Sequence, residues 1–175
     1  MQNPKLKTLF SPEAIAQRIQ ELGKKISEDY KDKELVVIGV LKGSFIFMAD
    51  LVRQISIPLD CEFIRVSSYR DGKVSGKLDL LLDLEPEKIK DRHILLVEDI
   101  IDTGNSMDFL IRHFQQHSPK SLKICTLLFK EKMLQKKNIK PDYVGFSIDP
   151  LFVVGYGLDL AGKLRNYPSI AVHEE

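Results

Sequence analysis

Residues 93–116, HILLVEDIIDTGNSMDFLIRHFQQ, decide the fold of this chain. The stretch opens with a run of apolar, mostly branched residues of strand length at 93–97, and Gly104 then marks a turn. After the turn, apolar residues recur with helical spacing at Met107, Leu110, Ile111 and Phe114. The stretch therefore predicts a buried strand, a tight polar loop and an amphipathic helix.

The loop between that strand and helix combines acids with small polar residues. Its acids are Glu98, Asp99 and Asp102, and they are followed by Thr103, Gly104, Asn105 and Ser106. The first amides of a helix lack intrahelical partners and carry the positive end of the helix dipole, so they suit a phosphate. Acids would repel that phosphate if they faced it, so we expect Glu98 and Asp99 to face a polyol or a divalent cation. The loop therefore indicates a site for a phosphorylated sugar.

The same order of strand, polar turn and helix occurs earlier in the chain. Leu35–Leu41 is a continuous branched run, typical of a parallel strand covered on both faces. A Lys42-Gly43-Ser44 turn follows it, and then an apolar helical pattern from Phe45 to Ile55. Further strands are predicted at 59–66, 78–84, 121–129 and 141–148, and a first helix from Pro12 to about Tyr30 with Ser11 as its N-cap. We therefore predict an α/β fold with a doubly wound, mainly parallel sheet in one domain over residues 1–175, and ligands at the carboxyl ends of the strands.

Two segments resemble a known family. VEDIIDTG at 97–104 resembles the phosphoribosyl pyrophosphate loop of the type I phosphoribosyltransferases, in the version found in hypoxanthine-guanine phosphoribosyltransferases. KPDYVGFSIDPLFVVGYGLD at 140–159 is similar to the C-terminal portion of the same enzymes, and the resemblance extends over about 35–165. It implies a small hood formed by the N- and C-terminal segments. It also implies an enzyme of purine salvage that transfers the phosphoribosyl group to N9 of a 6-oxopurine, releasing pyrophosphate.

The resemblance also assigns roles around the central loop. It implies that Asp102 exchanges a proton with N7 of the purine as a general base. The phosphoribosyl group would be held by Glu98, Asp99, Asp102, Thr103, Gly104, Asn105 and Ser106. Magnesium is the implied cofactor, with Glu98, Asp99 and Asp159 as its ligands. Phosphoribosyl pyrophosphate and a purine base are the implied substrates.

Two other groups are assigned by the same resemblance. The pyrophosphate would contact Lys42, Gly43, Ser68, Tyr69 and Arg165, and the Lys42-Gly43 turn can hold a non-proline cis peptide in this family. Ser68-Tyr69 opens a polar loop at 67–77 that is expected to close as a lid and exclude water. The purine would contact Ile100, Lys130, Phe152, Val153, Leu158 and Asp159, with Lys130 donating to the exocyclic oxygen and Phe152 stacking on the ring. Taken singly, Phe152 would be predicted as core and Arg165 as a surface charge.

This chain departs from its relatives at three positions. Asn105 stands where relatives often have lysine or an apolar residue, and Ser106 replaces a more usual threonine. Phosphate binding is expected to survive both changes because the loop acts largely through backbone amides. Ser67 stands where some relatives have lysine next to the Ser-Tyr pair.

Composition limits the function further. The net charge is +1, which argues against a nonspecific nucleic-acid binder. Two lone cysteines in apolar stretches, Cys61 and Cys125, and the lack of a membrane-length apolar segment predict a cytoplasmic protein. His113 and His117 are four residues apart on a helix, but without a third ligand they are interpreted as a solvated pair. By resemblance, we expect a dimer or tetramer of identical chains.

Two alternatives remain open at this stage. One is a regulator that keeps the phosphoribosyltransferase fold, senses nucleotides and binds RNA, which would require a basic face. The other is a phosphoribosyltransferase that acts on a pyrimidine or on adenine. Lys130 and the segment around Phe152 favour a 6-oxopurine, but they do not rank hypoxanthine, guanine and xanthine.

Overall fold

The computed structural model describes residues 5–68 and 78–174. Its strands are β1 (Lys5–Phe10), β2 (Leu35–Leu41), β3 (Leu59–Ser68), β4 (Leu78–Leu82), β5 (His93–Ile101), β6 (Ser121–Phe129), β7 (Tyr143–Ser147), β8 (Val153–Val154) and β9 (Ile170–Glu174). Its helices are α1 (Pro12–Asp29), α2 (Phe45–Val52) and α3 (Asn105–Gln115). Single 3-10 turns lie at Pro86–Lys88 and Glu131–Met133.

The main sheet has six strands in the order β4-β3-β2-β5-β6-β7. All neighbouring pairs are parallel except β3 with β4, which form an antiparallel pair at one edge. A second sheet, β1-β9-β8, is antiparallel and joins the two ends of the chain. The predicted doubly wound sheet and the small hood are thus both confirmed.

Helices cover both faces of the main sheet, as the continuous apolar run of β2 predicts. Leu35 and Val37 belong to the core shared with α1 and α2. Val36, Ile38 and Val40 belong to the core shared with α3. Alternate residues of one strand therefore serve two cores, which explains why no polar residue interrupts the run.

The start of α1 was predicted correctly from its capping residues. The side chain of Ser11 accepts a hydrogen bond from the backbone N–H of Ala14 at 3.3 Å, and Pro12 begins the helix. The helix ends at Asp29, and its buried face includes Ile15, Ile19, Leu22 and Ile26. α2 is shorter than predicted and ends at Val52. Ile55, which was expected in this helix, lies beyond its end and is still buried.

The central strand is longer than the sequence suggested. We expected Glu98 and Asp99 in a loop, but β5 continues through both of them to Ile101. The reason is tertiary: parallel pairing with β6 extends to Ile100 with Leu128 and Ile101 with Phe129. The carboxylates therefore project from a rigid strand end rather than from a loop.

None of the helices in 5–68 and 78–174 combines the length and the apolar composition that a membrane span needs.

Candidate active site

The loops that follow β2 and β5 meet because these two strands are neighbours in the sheet. A cavity of about 270 Å³ lies at their carboxyl ends. Seven residues assigned from the sequence line it: Lys42, Gly43, Glu98, Asp99, Ser106, Asp159 and Arg165. Val40, Leu41, Val66 and Leu78 complete its walls. The structure thus brings residues from four separate parts of the chain to one place.

Gly43 packs so closely against Asp99 that no side chain fits between them. A Cβ atom built on Gly43 would lie 1.6 Å from Oδ2 of Asp99. On the other side, a Cβ atom on Gly157 would lie 2.1 Å from the carbonyl oxygen of Gly43, and Gly157 has a positive φ of 99°. Gly43 is therefore held between the carboxylate and the second glycine. The peptide bond from Leu41 to Lys42 is cis, as the family resemblance allowed.

Glu98 and Asp99 form a pair of desolvated acids. Their residues are only 9% and 8% exposed. Burial, together with the negative charge of Asp99, raises the pKa of Glu98 well above its ordinary value. Burial also raises the pKa of Asp99. Oε2 of Glu98 is buried without a hydrogen-bond partner among residues 5–68 and 78–174. Such a pair is costly unless a proton or a cation neutralises it.

Arg165 is held in place at the opposite wall of the cavity. Its Nη2 lies 2.5 Å from Oδ1 of Asp159, and its Nη1 donates to the carbonyl oxygen of Gly157 at 2.5 Å. The backbone N–H of Gly157 donates in return to the carbonyl oxygen of Arg165 at 2.9 Å. The backbone N–H of Gly162 donates a hydrogen bond to the other oxygen of Asp159, Oδ2, at 2.6 Å. Arg165 is therefore a fixed part of the site rather than a free surface charge.

The turn between β5 and α3 has the geometry of an anion site. Gly104 is the N-cap of α3 and has a left-handed conformation, with φ of 81°. Its carbonyl oxygen accepts the first intrahelical hydrogen bond from Asp108 at 2.9 Å. Asn105 and Ser106 are exposed at the start of the helix. The backbone N–H of Asn105 makes a long hydrogen bond of 3.5 Å to Oγ1 of Thr103. The first amides of a helix can bind an anion.

A segment after β6 supports this turn. The carbonyl oxygen of Thr103 accepts hydrogen bonds from the backbone N–H groups of Gln135 at 3.0 Å and Lys136 at 3.4 Å. A Cβ atom on Gly104 would lie 2.9 Å from Cδ1 of Leu134. This support was not predicted from the sequence. The sequence offers no periodic signal there that could have revealed it.

Asp102 and Lys130 form an ion pair just beyond the ends of their strands. Nζ of Lys130 lies 3.0 Å from Oδ2 of Asp102, and Lys130 is only 9% exposed. The two meet because β5 and β6 are paired up to Ile101 and Phe129. Oδ1 of Asp102 is buried and has no hydrogen-bond partner in the part of the chain that the structure describes. The family resemblance assigned each residue a separate role toward a purine and did not indicate that they contact each other.

The residues assigned to the purine differ in their burial, and of the six only Asp159 lines the cavity described above. Phe152 is 55% exposed, so it is not the core residue that its type alone would predict. Val153 is buried in the hood, where it pairs with Val172 of β9. Leu158 was expected as a pocket wall, but it is buried in the core shared with α1 and α2. Ile100 packs partly against the same core. Pairing of β8 with β9 places Val153 in the interior of the hood.

The remaining assignments concern the lid and the metal. Ser68 is the last residue of β3, and Tyr69 lies outside the described residues. In 5–68 and 78–174, no three His, Cys, Asp or Glu side chains are grouped so that they could hold a metal. The expected trio of Glu98, Asp99 and Asp159 is therefore not a preformed three-ligand site, since both oxygens of Asp159 are already bound within its own loop. His113 is paired with Asp83 at 2.9 Å rather than simply solvated.

Comparison with known proteins agrees with this geometry. Residues 5–160 match the phosphoribosyl transferase domain. The chain is 44% identical to the hypoxanthine-guanine phosphoribosyltransferase of Bacillus subtilis, over 95% of this chain and 92% of that protein. It is also 44% identical to the hypoxanthine phosphoribosyltransferase of Salmonella typhimurium, over 91% of this chain and 90% of the relative.

A solved structure gives the same result. The crystal structure of a hypoxanthine-guanine phosphoribosyltransferase from Bacillus anthracis superposes with a TM-score of 0.89 at 43% identity, covering 98% of this chain and 100% of that one. Sequence and fold agree over nearly the whole length of these relatives. The family predicted from VEDIIDTG is therefore confirmed: the chain belongs to the hypoxanthine(-guanine) phosphoribosyltransferases of the phosphoribosyl transferase domain family.

Proposed function

We propose that this chain transfers the 5-phosphoribosyl group from phosphoribosyl pyrophosphate to N9 of hypoxanthine or guanine, forming the nucleoside monophosphate and pyrophosphate. The observation that carries the proposal is the cavity in which Lys42, Gly43, Glu98, Asp99 and Arg165 converge. It adjoins the anion-binding turn of α3, since Ser106 lines its wall. Cations and acids beside an anion-binding turn suit a sugar that bears a phosphate at one end and a pyrophosphate at the other.

The sugar substrate fits the cavity and the turn together. The 5-phosphate accepts hydrogen bonds from the backbone amides of Gly104, Asn105 and Ser106 and from the hydroxyl groups of Thr103 and Ser106. The ribose hydroxyl groups bind Glu98 and Asp99 at the end of β5. The pyrophosphate lies against Lys42, Gly43 and Arg165. Fixing both ends of the substrate sets C1 in position for attack, which lowers the entropic part of the barrier.

The base occupies the space between Asp102 and the hood. Lys130 donates a hydrogen bond to the exocyclic oxygen of the purine, and Phe152 stacks on its ring. Oδ1 of Asp102, which is buried without a partner, accepts the proton from N7 of the purine. The hydrogen bond from Lys130 to Oδ2 keeps the carboxylate oriented for this transfer. Ile100, Val153, Leu158 and Asp159 support the pocket from behind.

Magnesium suits the donors present. The uncompensated oxygen of Glu98 and the adjacent carboxylate of Asp99 are hard oxygen ligands in a desolvated place. Magnesium in proteins is commonly bound by one or two carboxylates together with substrate phosphates, so a third protein ligand is not required. Glu98 and Asp99 would hold it, with Asp159 at the edge of the site. When bound, the metal neutralises charge that develops on the leaving pyrophosphate.

Four further features belong to the proposal. Ser68 and Tyr69 contact the pyrophosphate, and Val66 and Leu78, which flank residues 67–77, line the cavity. Residues 1–175 act as one domain, because Val153 and Ile170 of the hood share a core with α1 and α2. The chain forms a homo-oligomer, either a dimer or a tetramer. It works in the cytoplasm and binds neither nucleic acid nor membrane.

One assay tests the function directly. The purified chain is supplied with phosphoribosyl pyrophosphate and magnesium, and separately with hypoxanthine, guanine, xanthine or adenine, and monophosphate is measured. We expect turnover with hypoxanthine and guanine and little with adenine, and no turnover in the presence of excess chelator. Tight nucleotide binding without turnover of any base would instead support the regulator. Turnover with adenine alone would contradict the assigned role of Lys130.

A further inference from the structure

The phosphate turn itself has no cationic side chain. A sugar phosphate carries close to two negative charges at neutral pH, whereas a helix N-terminus supplies only about half a positive charge. The turn, 102–106, contains no lysine or arginine. Nζ of Lys130 is paired with Asp102 at 3.0 Å. Arg165 is paired with Asp159 in the wall of the neighbouring cavity.

Lys136 is the cation that lies against this turn. Its backbone N–H is 3.4 Å from the carbonyl oxygen of Thr103. Its Cβ atom would be 3.3 Å from a Cβ atom built on Gly104, the N-cap of α3. The residue is half-buried, unlike its exposed neighbour Lys137. The base of the Lys136 side chain is therefore fixed beside the first amides of the helix.

The charge of Lys136 is also directed toward the start of α3. The pKa of Asp108, in the first turns of that helix, is lowered chiefly by the hydrogen bond from Asn138 and also by the positive charges of Arg112 and Lys136. Asp108 has its own partners, Asn138 at 3.1 Å and Arg112 at 3.0 Å. Within the described ranges, Lys136 forms no ion pair within 4.0 Å, whereas Lys132 is paired with Asp149 at 2.7 Å. Within those ranges the ammonium group is thus not committed to a carboxylate, and its charge acts on the first turns of α3.

We propose that Lys136 binds the 5-phosphate as its charged partner, supplying from the segment after β6 the cation that the turn lacks. The proposal rests on the proposed function, because it takes the phosphate to lie on the amides of 104–106. It makes Lys136 a specificity residue: its ammonium contributes to the binding of phosphorylated sugars and nucleotides but not to that of a nucleoside without the phosphate. The backbone N–H of Lys136 supports Thr103 independently, so changing the side chain separates the two roles.

Binding of inosine monophosphate and of inosine, measured by calorimetry, tests the proposal. The variants are Lys136→Gln, Lys136→Arg and the control Lys137→Gln. We expect Lys136→Gln to weaken monophosphate binding about tenfold, in the range of a hydrogen bond to a charged group, and to leave inosine binding unchanged. Lys136→Arg should retain the affinity for the monophosphate. Lys137→Gln should bind both ligands with the wild-type affinities.

Two results would overturn the inference. One is that the Lys136→Gln variant binds the monophosphate with an affinity within about twofold of the wild-type affinity. The other is an equal loss for inosine, which would indicate a structural role. If the unchanged chain is active and Lys136→Gln binds normally, only this inference fails. If the unchanged chain neither binds the monophosphate nor turns over phosphoribosyl pyrophosphate, the proposed function fails as well.

Discussion

The two ends of the candidate site are built differently. At the sugar and pyrophosphate end, Gly43 is packed between Asp99 and Gly157, and Arg165 is tied to Asp159. At the base end, Phe152 is 55% exposed. Of the assigned purine contacts, only Asp159 lines the cavity that holds the acids. We call the first end rigid, because close packing and an ion pair hold it, and the second end open.

This difference indicates which substrate the chain is prepared to receive. A site held by close packing and ion pairs loses little conformational entropy when its ligand binds. We therefore expect phosphoribosyl pyrophosphate to bind largely to preformed groups, and the purine to complete its own pocket between Lys130 and Phe152. Asp102 lies at the boundary, with one oxygen bound to Lys130 and one without a partner.

Asp102→Asn should have the largest effect. The amide keeps the shape of the boundary residue but cannot accept the proton from N7, so kcat should fall at least about 100-fold, as is typical for loss of a general base. The KM for phosphoribosyl pyrophosphate should change little, because the rigid end is intact. Steady-state kinetics with both substrates varied will check this. An equal loss in kcat and in sugar affinity would remove the role of Asp102 as base.

Gly43→Ala should damage the rigid end selectively. Its Cβ atom would lie 1.6 Å from Oδ2 of Asp99, so the turn or the carboxylate must move, and misplacement by about 1 Å can cost about 100-fold in rate. We expect a lower melting temperature and weaker binding of pyrophosphate. The double variant Gly43→Ala with Asp99→Ala serves as the control, since removing the carboxylate should restore much of the stability. Equal destabilisation in both backgrounds would show that the clash lies elsewhere.

Lys130→Met should alter the open end without affecting the rigid one. Methionine retains an apolar body but cannot donate to the exocyclic oxygen, so the preference for hypoxanthine over adenine should fall about tenfold. The measurement is kcat/KM for each base at saturating phosphoribosyl pyrophosphate. Lys132→Met, at an exposed lysine paired with Asp149, is the matched control and should keep the preference. If Lys130→Met kept the preference for hypoxanthine over adenine, the assigned hydrogen bond from Lys130 to the purine would be wrong.

Glu98→Gln should give a smaller effect that depends on pH. The pKa of Glu98 is raised by burial and by Asp99, so the folded chain retains a proton that the unfolded chain loses above about pH 4.5. The free energy of unfolding therefore falls as the pH rises from 4.5 to the raised pKa. The Glu98→Gln variant has no such proton. Its free energy of unfolding, compared with that of the wild-type chain, should therefore rise with pH. Urea unfolding in chelator between about pH 5 and 8 measures this, and a constant difference would exclude the buried proton.

The sequence was informative where chemistry and periodicity are local. The apolar run at Leu35–Leu41 and the helical spacing after Gly104 gave strand, helix and turn with little error. The family signature then placed Lys42, Asp159 and Arg165 near the acids, although they are distant in sequence. No local pattern in the residues alone could have done so, because their proximity arises from the order of the strands.

Other features were missed because tertiary pairing determines them. The extension of β5 through Glu98 and Asp99 depends on its neighbour β6. The contact between Lys130 and Asp102 depends on the same register. The support of Thr103 by Gln135 and Lys136 arises in an irregular segment that has no repeating pattern.

The most direct test of the central claim is a crystal structure of the chain with inosine monophosphate. The account predicts that the phosphate lies on the backbone amides of 104–106, with the ribose at Glu98 and Asp99 and the base between Lys130 and Phe152. A monophosphate bound with its phosphate away from that turn, or with its base outside the space beside Asp102, would contradict the account.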